Sequence, residues 1–188
     1  MKKLRIIAIT AMVIIISLLS QGTLAYYSTS GKASSVVTTG NVKLKLHELD
    51  ANRAPFNPDG VYVMPGDVVD KRVSVENVGS HPFYLRISLV EGVSAEELSA
   101  KDCMQLDIDT VNWTFKDGWY YYNKVVSPGT TTTELFTKVT IVGSKIDREY
   151  IDKFLTLKVT AQAVQSENNP IENGDVTTAS GWPMSAEG

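Results

Sequence analysis

The chain has 188 residues, of which 43% are hydrophobic and 21% are charged, and its formal net charge is −3 at pH 7. This acidic balance excludes the basic surface that nucleic acid phosphates require. The single cysteine, Cys103, excludes an internal disulfide, so stability has to come from a packed core. We expect Cys103 to be a small, partly buried hydrophobic residue, with dimer formation or thiol reactivity as the alternative.

Residues 1–25 have the composition of a secretory signal peptide. Three basic residues precede the apolar run Ile6–Leu19, which is shorter than the ~18 residues of a spanning helix. The small residues Thr23 and Ala25 predict cleavage between Ala25 and Tyr26; the alternative is an uncleaved membrane anchor. Cleavage removes three of the 18 basic residues and none of the 21 acidic ones, leaving 163 residues with a net charge of −6. We therefore expect one secreted domain.

The new N-terminus, residues 26–40, forms an arm that contains neither proline nor acidic residues. Its apolar residues suit an extended strand but cannot bury a face alone. We hypothesise that the arm is a donor strand that adds to an open sheet edge of a neighbouring subunit. The alternative is that it folds back onto its own domain or stays loose. The candidate donor residues are Tyr26, Tyr27, Ala33, Val36 and Val37.

Residues 41–165 alternate between apolar and polar side chains over several segments, separated by turn signals such as Pro65-Gly66. This period is typical of half-buried β-strands. The residues predicted to face a core are Val42, Leu44 and Leu46; Val69, Val73 and Val75; Phe83, Leu85, Ile87 and Leu89; Leu135, Thr137, Val139 and Ile141; and Leu155, Leu157, Val159, Ala161 and Ala163.

Local signals predict three further features. Asp117-Gly118 indicates the turn of a hairpin, across which Trp113 and Phe115 face the aromatic residues of 119–122. Ser94 begins a possible capped helix over residues 94–98, and a second short helix is expected within 145–154. Residues 166–188 are predicted to be a flexible C-terminal tail.

About seven or eight strands with regular turn signals predict a single antiparallel β-sandwich. We expect a jelly-roll-like arrangement with one or two short helices, and an immunoglobulin-like arrangement is the alternative. No internal repeat or linker indicates a second domain.

The sequence contains no recognisable catalytic or metal motif, and we expect neither enzymatic activity nor a cofactor. The two histidines, His47 and His81, do not form a zinc-binding pattern. Asp107 and Asp109 share a strand face, which suits a solvated edge or weak Ca²⁺ binding at best. An aromatic group could bind a sugar, although such spacing is more typical of a core or a cross-strand ladder. The candidate ligand aromatics are Trp113, Trp119 and Tyr121.

The order of these segments resembles the TasA/camelysin family of proteins that Gram-positive bacteria export through a dedicated, SipW-type signal peptidase. The cleavage junction and first strand match at Thr23, Ala25, Tyr26, Tyr27, Gly40, Val42, Leu44 and Leu46. The Pro-Gly-Asp strand and Asn-x-Gly turn match at Pro65, Gly66, Asp67, Asn77 and Gly79. Later segments match at Tyr121, Tyr122, Asn123, Gly129, Thr132, Leu135, Phe136, Ala161, Ala163 and Gln165.

The resemblance implies a jelly-roll subunit that assembles with copies of itself into extracellular biofilm matrix fibres. It also implies the dedicated signal peptidase as a partner during export, and a related matrix or anchoring protein as a further partner. Two alternatives remain: a monomeric cell-surface module that binds a carbohydrate or a host protein, and a secreted metalloprotease. The second alternative is the weaker one because the sequence supplies too few metal ligands.

Overall fold

The computed structural model describes residues 34–38, 42–150 and 152–183, all within one compact unit, Gly31–Gly188. The strands are β1 (Ser34–Thr38), β2 (Leu44–Leu49), β3 (Val68–Asn77), β4 (Phe83–Val93), β5 (Met104–Leu106), β6 (Trp113–Lys116), β7 (Trp119–Tyr122), β8 (Phe136–Ile141) and β9 (Leu155–Gln165). Three short 3₁₀ helices are Gly143–Lys145, Arg148–Tyr150 and Val176–Thr178. None of the helical turns in these ranges has the length or hydropathy that crossing a bilayer requires.

The strands form two packed sheets, which makes the protein an all-β sandwich as the sequence predicts. One sheet has the order β1-β9-β4-β7-β6, and the other has the order β2-β3-β8-β5. Neighbouring strands are antiparallel, with one exception in the described chain: β1 runs parallel to β9. The sandwich is therefore antiparallel with one added parallel edge strand, which the sequence did not predict.

The core lies between the sheets, where the predicted alternation is confirmed except at Thr137. The Thr137 hydroxyl binds the Asp107 carboxylate, and the neighbouring Phe136 is buried instead. Of the predicted core residues, Val73, Phe83, Leu85, Ile87, Val159, Ala161 and Ala163 are fully buried. Leu46, Val69, Leu89, Leu155 and Leu157 are partly buried and pack against them. The alanines late in β9 leave room for the facing sheet, because their side chains are the smallest apolar ones available in a strand.

The predicted hairpin is also confirmed. Asp117 and Gly118 both have positive φ, 49° and 81°, as a tight turn between right-twisted strands requires. The register places Trp113 opposite Tyr122 and Phe115 opposite Tyr120. Ring centroids in the two pairs are 5.0 and 4.8 Å apart. The hairpin thus joins two aromatic pairs on one face of the sheet.

The helix predicted over residues 94–98 is wrong, since this segment forms only turns. The Ser94 hydroxyl accepts a hydrogen bond from the Phe154 N–H at 3.0 Å, and the Ser94 N–H donates to the Phe154 carbonyl. The side chain expected to cap a helix therefore joins two loops that are distant in sequence. Among the described residues of 145–154, the helical structure consists of single 3₁₀ turns.

The loops lie at two opposite ends of the sandwich, because successive strands alternate in direction. We call the end where β9 begins the arm end; loops 50–67, 94–103 and 142–154 lie there. We call the opposite end the far end; it carries loops 78–82, 107–112 and 123–135 and the link from β1 to β2. Since β1 is parallel to β9, it enters from the arm end and runs towards the far end.

The segment expected to be a flexible tail is folded over the outer face of the five-stranded sheet as far as residue 183. Val176 and Ala179 are buried against Tyr84, Tyr121 and Val164 in a second apolar cluster. Asn169 holds the segment closed, because its side-chain oxygen accepts the Ser180 N–H at 3.1 Å. Residues 166–183, which we call the C-terminal strap, are therefore part of the domain.

Candidate functional site

The part of the N-terminal arm that the structure describes is β1, at the outer edge of the five-stranded sheet. In its register Val36 lies opposite Ala161 and Val37 opposite Gln162. The other candidate donor residues, Tyr26, Tyr27 and Ala33, and the cleavage residue Ala25 lie outside the described residues. Residues 34–38 thus form an edge strand of their own domain, which for Val36 and Val37 is the fold-back alternative and not exchange with a neighbour.

On the side of the sandwich that carries β1, both sheets have their edge strands, β1 in one sheet and β2 in the other. β9 carries Val159, Ala161 and Ala163, all fully buried, on its core face. In the opposite sheet the edge strand is β2, and Val42 and Leu44 are buried at its start. Apolar side chains thus reach this rim from both sheets and are buried there, with β1 paired to β9 along the edge.

The second candidate region is the outer face of the five-stranded sheet, beneath the C-terminal strap. Arg86 of β4 lies between two indole rings, with its guanidinium carbon 4.1 Å from the ring centroid of Trp119 and 4.6 Å from that of Trp182. Its Nε and Nη2 donate to Gln162 Oε1 at 2.9 and 2.6 Å, and Nη1 donates to the Tyr121 hydroxyl at 3.3 Å. The guanidinium therefore joins β4, β9, β7 and the strap.

The three candidate ligand aromatics are not brought together on an open surface. Trp113 is 2% exposed and belongs to the core between the sheets, on the opposite side from Tyr121. Tyr121 is also buried, with its ring 5.6 Å from that of Trp182 in an edge-to-face contact. Trp119 is partly exposed, but Arg86 covers one face of its ring. A flat stacking platform for a sugar therefore does not form from these residues.

Sequence reasoning missed Arg86, Gln162 and Trp182 as partners in this cluster. The available signals were weak: Arg86 stands on the polar side of an alternating strand, and Trp182 lies in a polar segment that resembles a tail. Only the register between β4 and β9, which places Arg86 opposite Gln162, reveals the cluster.

The candidate metal ligands are dispersed and have partners within the chain. His47 Nε2 lies 2.8 Å from Glu76, and His81 Nδ1 lies 3.3 Å from Glu167, at separate places on the surface. No group of three or more His, Cys, Asp or Glu side chains in the described ranges is arranged to hold a metal ion. The geometry gives no support to a metalloprotease centre in this part of the chain.

Asp107 and Asp109 bind their own chain. Burial tends to raise the pKa of Asp107, but hydrogen bonds from the Thr137 hydroxyl and from the Lys138 and Thr137 N–H groups outweigh it and lower that pKa. The pKa of Asp109 is lowered chiefly by the side-chain amide of Asn112. Asp107 thus joins the end of β5 to β8, and Asp109 accepts hydrogen bonds from Val111, Asn112 and Thr133 in the neighbouring loops.

Compared with known proteins, the chain matches no protein-family model and no curated protein.

Proposed function

We propose that this chain is a secreted structural protein that assembles head to tail into extracellular matrix fibres, in which residues 26–33, the first part of the N-terminal arm of each subunit, add to an open sheet edge of the next subunit. The observation that carries the proposal is the position of β1. It is the outermost strand of its sheet, it is parallel to β9, and its chain continues into β2 of the opposite sheet. The strand is thus held to β9 by an added pairing, outside the hairpin connections that build the domain.

The energetics of this pairing support an arm that functions between subunits. Each backbone hydrogen bond contributes a net stabilisation of about 0.5–1.5 kcal/mol, whereas fixing the backbone of one residue costs about 1–2 kcal/mol of conformational entropy. For the five paired positions, Ser34 to Thr38, backbone hydrogen bonding therefore does no more than roughly offset the loss of chain entropy within one chain. The arm would be bound more strongly if the residues that precede Ser34 also contacted a partner surface.

The direction of β1 supports a choice between two parts of the arm as the one that would reach a neighbour. If Ser34–Thr38 itself were exchanged, the five-residue link 39–43 would span at most ~18 Å, at ~3.3–3.6 Å per residue. The far ends of both partners would then be adjacent, which favours a closed, reciprocal pair over a filament. We propose instead that Ser34–Thr38 stays on its own β9 and that residues 26–33 extend from the arm end to the next subunit. This contact is heterologous and does not close on itself, so it generates a fibre.

Export fits the same scheme. Cleavage after Ala25 would free Tyr26, whereas the uncleaved leader would keep the arm attached to an apolar segment. The resemblance to the TasA/camelysin family favours a biofilm matrix and a dedicated signal peptidase in a Gram-positive bacterium. A related matrix or anchoring protein is the expected further partner.

The experiment compares three versions of the purified protein by negative-stain electron microscopy, starting at Tyr26, at Ser34 and at Gly40. We expect fibres only from the version that starts at Tyr26. The version that starts at Ser34 is the matched control, because it keeps the β1–β9 pairing and lacks only residues 26–33. It should therefore fold normally and remain monomeric. Equal fibre formation by all three versions would exclude a role for the arm.

A further inference from the structure

Strand β4 has an open edge near the arm end of the sandwich. All eleven of its residues pair with β9, whereas its pairing with β7 includes only Arg86 and Ile87. The β6–β7 hairpin turns back at Asp117-Gly118, and no strand of the described chain lies beside residues 88–93 of β4 on that side. This last part of β4 therefore has a strand neighbour on one side only.

The hydrogen-bond pattern shows which backbone groups of β4 face the open edge. The Ser94 N–H donates to the Phe154 carbonyl of the segment before β9 at 3.0 Å, so every second residue that precedes Ser94 also faces β9. The residues whose N–H and C=O groups face the open side are Leu89, Glu91 and Val93. No hydrogen bond from a loop or turn within the described ranges reaches these groups. They are thus available to an added strand.

The open edge borders a groove with apolar sides. Residues of β4 and of the loop that joins β4 to β5 line this groove, which has a volume of about 630 Å³. The loop contributes Ala95, Leu98 and Ala100, and β4 contributes Leu89 and Val93. Apolar sides next to a row of unpaired backbone groups are what an extended peptide requires when it adds to a sheet edge.

Glu91 is the acidic group on the β4 side of this groove. Burial raises the pKa of its carboxyl group, a hydrogen bond from the Asp102 N–H lowers it by a smaller amount, and the Asp102 carboxylate raises it again. None of the ion pairs in the described chain includes Glu91. Residues 89–103 contain four acidic residues and one basic residue. The groove is therefore complementary in charge to a basic side chain.

We propose that this groove is the docking site for an extended segment of a partner protein, which adds as a strand beside residues 88–93 and places a lysine or arginine opposite Glu91. Side chains directly opposite each other on paired strands lie on the same face of the sheet. The residues two positions before and after the basic residue then lie opposite Leu89 and Val93, so both should be apolar. The partner segment also lacks proline, because proline has no N–H for the edge.

The N-terminal arm of a second copy does not have this pattern. Its single basic residue is Lys32, and the residues two positions away are Ser30 and Ser34. Ser34 moreover pairs with Val159 of its own sheet. The occupant is therefore a segment of a different protein, and the inference goes beyond the proposed fibre function.

The test is an NMR titration of the protein that starts at Tyr26 with the synthetic peptide acetyl-Ser-Val-Thr-Lys-Thr-Val-Ser-amide. We expect Glu91→Gln to raise the Kd at least about tenfold, because the lysine loses its half-buried charged partner. The matched control is Glu97→Gln, an exposed glutamate of the same acidic segment outside the groove, which should change the Kd less than about twofold. A peptide with glutamate in place of lysine should bind Glu91→Lys and not the wild type.

Amide hydrogen exchange shows whether the peptide binds as a strand. The bound peptide should slow exchange at the three amides of the open edge at least about tenfold. The amides of Val90 and Gly92, which face β9, should change little.

Each outcome decides the inference without reference to fibres. Equal binding by the wild type and Glu91→Gln, or no protection of the three edge amides, would overturn it. If a peptide of residues 26–33 binds the groove as tightly as the lysine peptide, the occupant is the arm of a second copy, and the inference of a different partner fails. Fibre formation is not measured, so failure here leaves the fibre proposal to its own experiment.

Discussion

Strand β9 has β4 on one side and β1 on the other. The two borders differ in strand direction, in the number of paired residues and in the side-chain hydrogen bonds across them. The border with β4 is antiparallel, spans eleven residue pairs and is reinforced by Arg86 on Gln162. The border with β1 is parallel and spans five pairs. This difference shows that one strand can belong to the core sheet on one side, through β4, and pair on the other side with a short added segment, β1, that is held by fewer contacts.

The largest effect is expected on the β4 border. Ile87 is fully buried opposite Ala161, so Ile87→Ala should lower the free energy of unfolding by about 2–5 kcal/mol through lost burial and an unfilled cavity. Val90→Ala, on the same strand but 56% exposed, is the control and should change it by about 0.5 kcal/mol or less. Urea denaturation measures both. Similar small changes in the two variants would contradict the assignment of this border to the core.

The cluster under the C-terminal strap should give the next largest effect. Trp182→Ala removes an edge-to-face contact with Tyr121 and a cation–π contact with Arg86, which together are worth about 1–3 kcal/mol. Trp182→Phe retains an aromatic ring and should recover part of this loss. Chemical denaturation and the near-ultraviolet circular dichroism of Trp119 and Tyr121 report the change. A Trp182→Ala variant with wild-type stability would show that the strap does not contribute to the domain.

Loss of β1 should have a smaller effect on stability. The version that starts at Gly40 should be less stable than the one that starts at Ser34 by at most about 2 kcal/mol, since hydrogen bonding and chain entropy nearly cancel. Amide hydrogen exchange in Ser35–Thr38 should be at least about tenfold faster than in β4, because the edge opens locally. If the version that starts at Gly40 were unfolded, the two borders of β9 would be equally necessary.

A still smaller effect, measured as a change in the pH dependence of stability, is expected at the β5 edge of the other sheet. The pKa of Asp107 is lowered in the folded protein by hydrogen bonds from β8, which outweigh the opposing effect of burial. Its carboxylate therefore stabilises the fold above about pH 4, and this contribution disappears as the pH falls through the folded-state pKa. In Asp107→Asn the free energy of unfolding should depend less steeply on pH between about 2 and 5. An unchanged slope would assign the acid sensitivity to other groups.

The fold could be predicted from the sequence where the signals are local. The alternation in β2, β3, β4 and β9 and the Asp117-Gly118 turn fix the strands and the hairpin without knowledge of distant residues. The features that were missed all depend on long-range contacts. Ser94 binds Phe154 rather than a helix, and Trp182 in a polar segment packs on Tyr121.

The candidate site was predictable only in part, for the same reason. Composition identified an extended N-terminal arm, but nothing in residues 34–38 indicates a parallel partner about 125 residues further along the chain. The register within the hairpin decides that Trp113 faces the core and Tyr121 the outer surface. Aromatic residues that are close in sequence are thus separated by the sheet.

The buried thiol at the arm end provides an internal reporter. Cys103 is 1% exposed, and its Sγ lies 3.4 Å from the Ser99 carbonyl oxygen, both within the loop that joins β4 to β5. A thiol-specific dye can therefore react only when that loop opens, and its rate of labelling measures how often the end of the sandwich opens. Comparing this rate in monomers and in assembled material would give the kinetic protection that each molecule gains from its neighbour, without the addition of any probe residue.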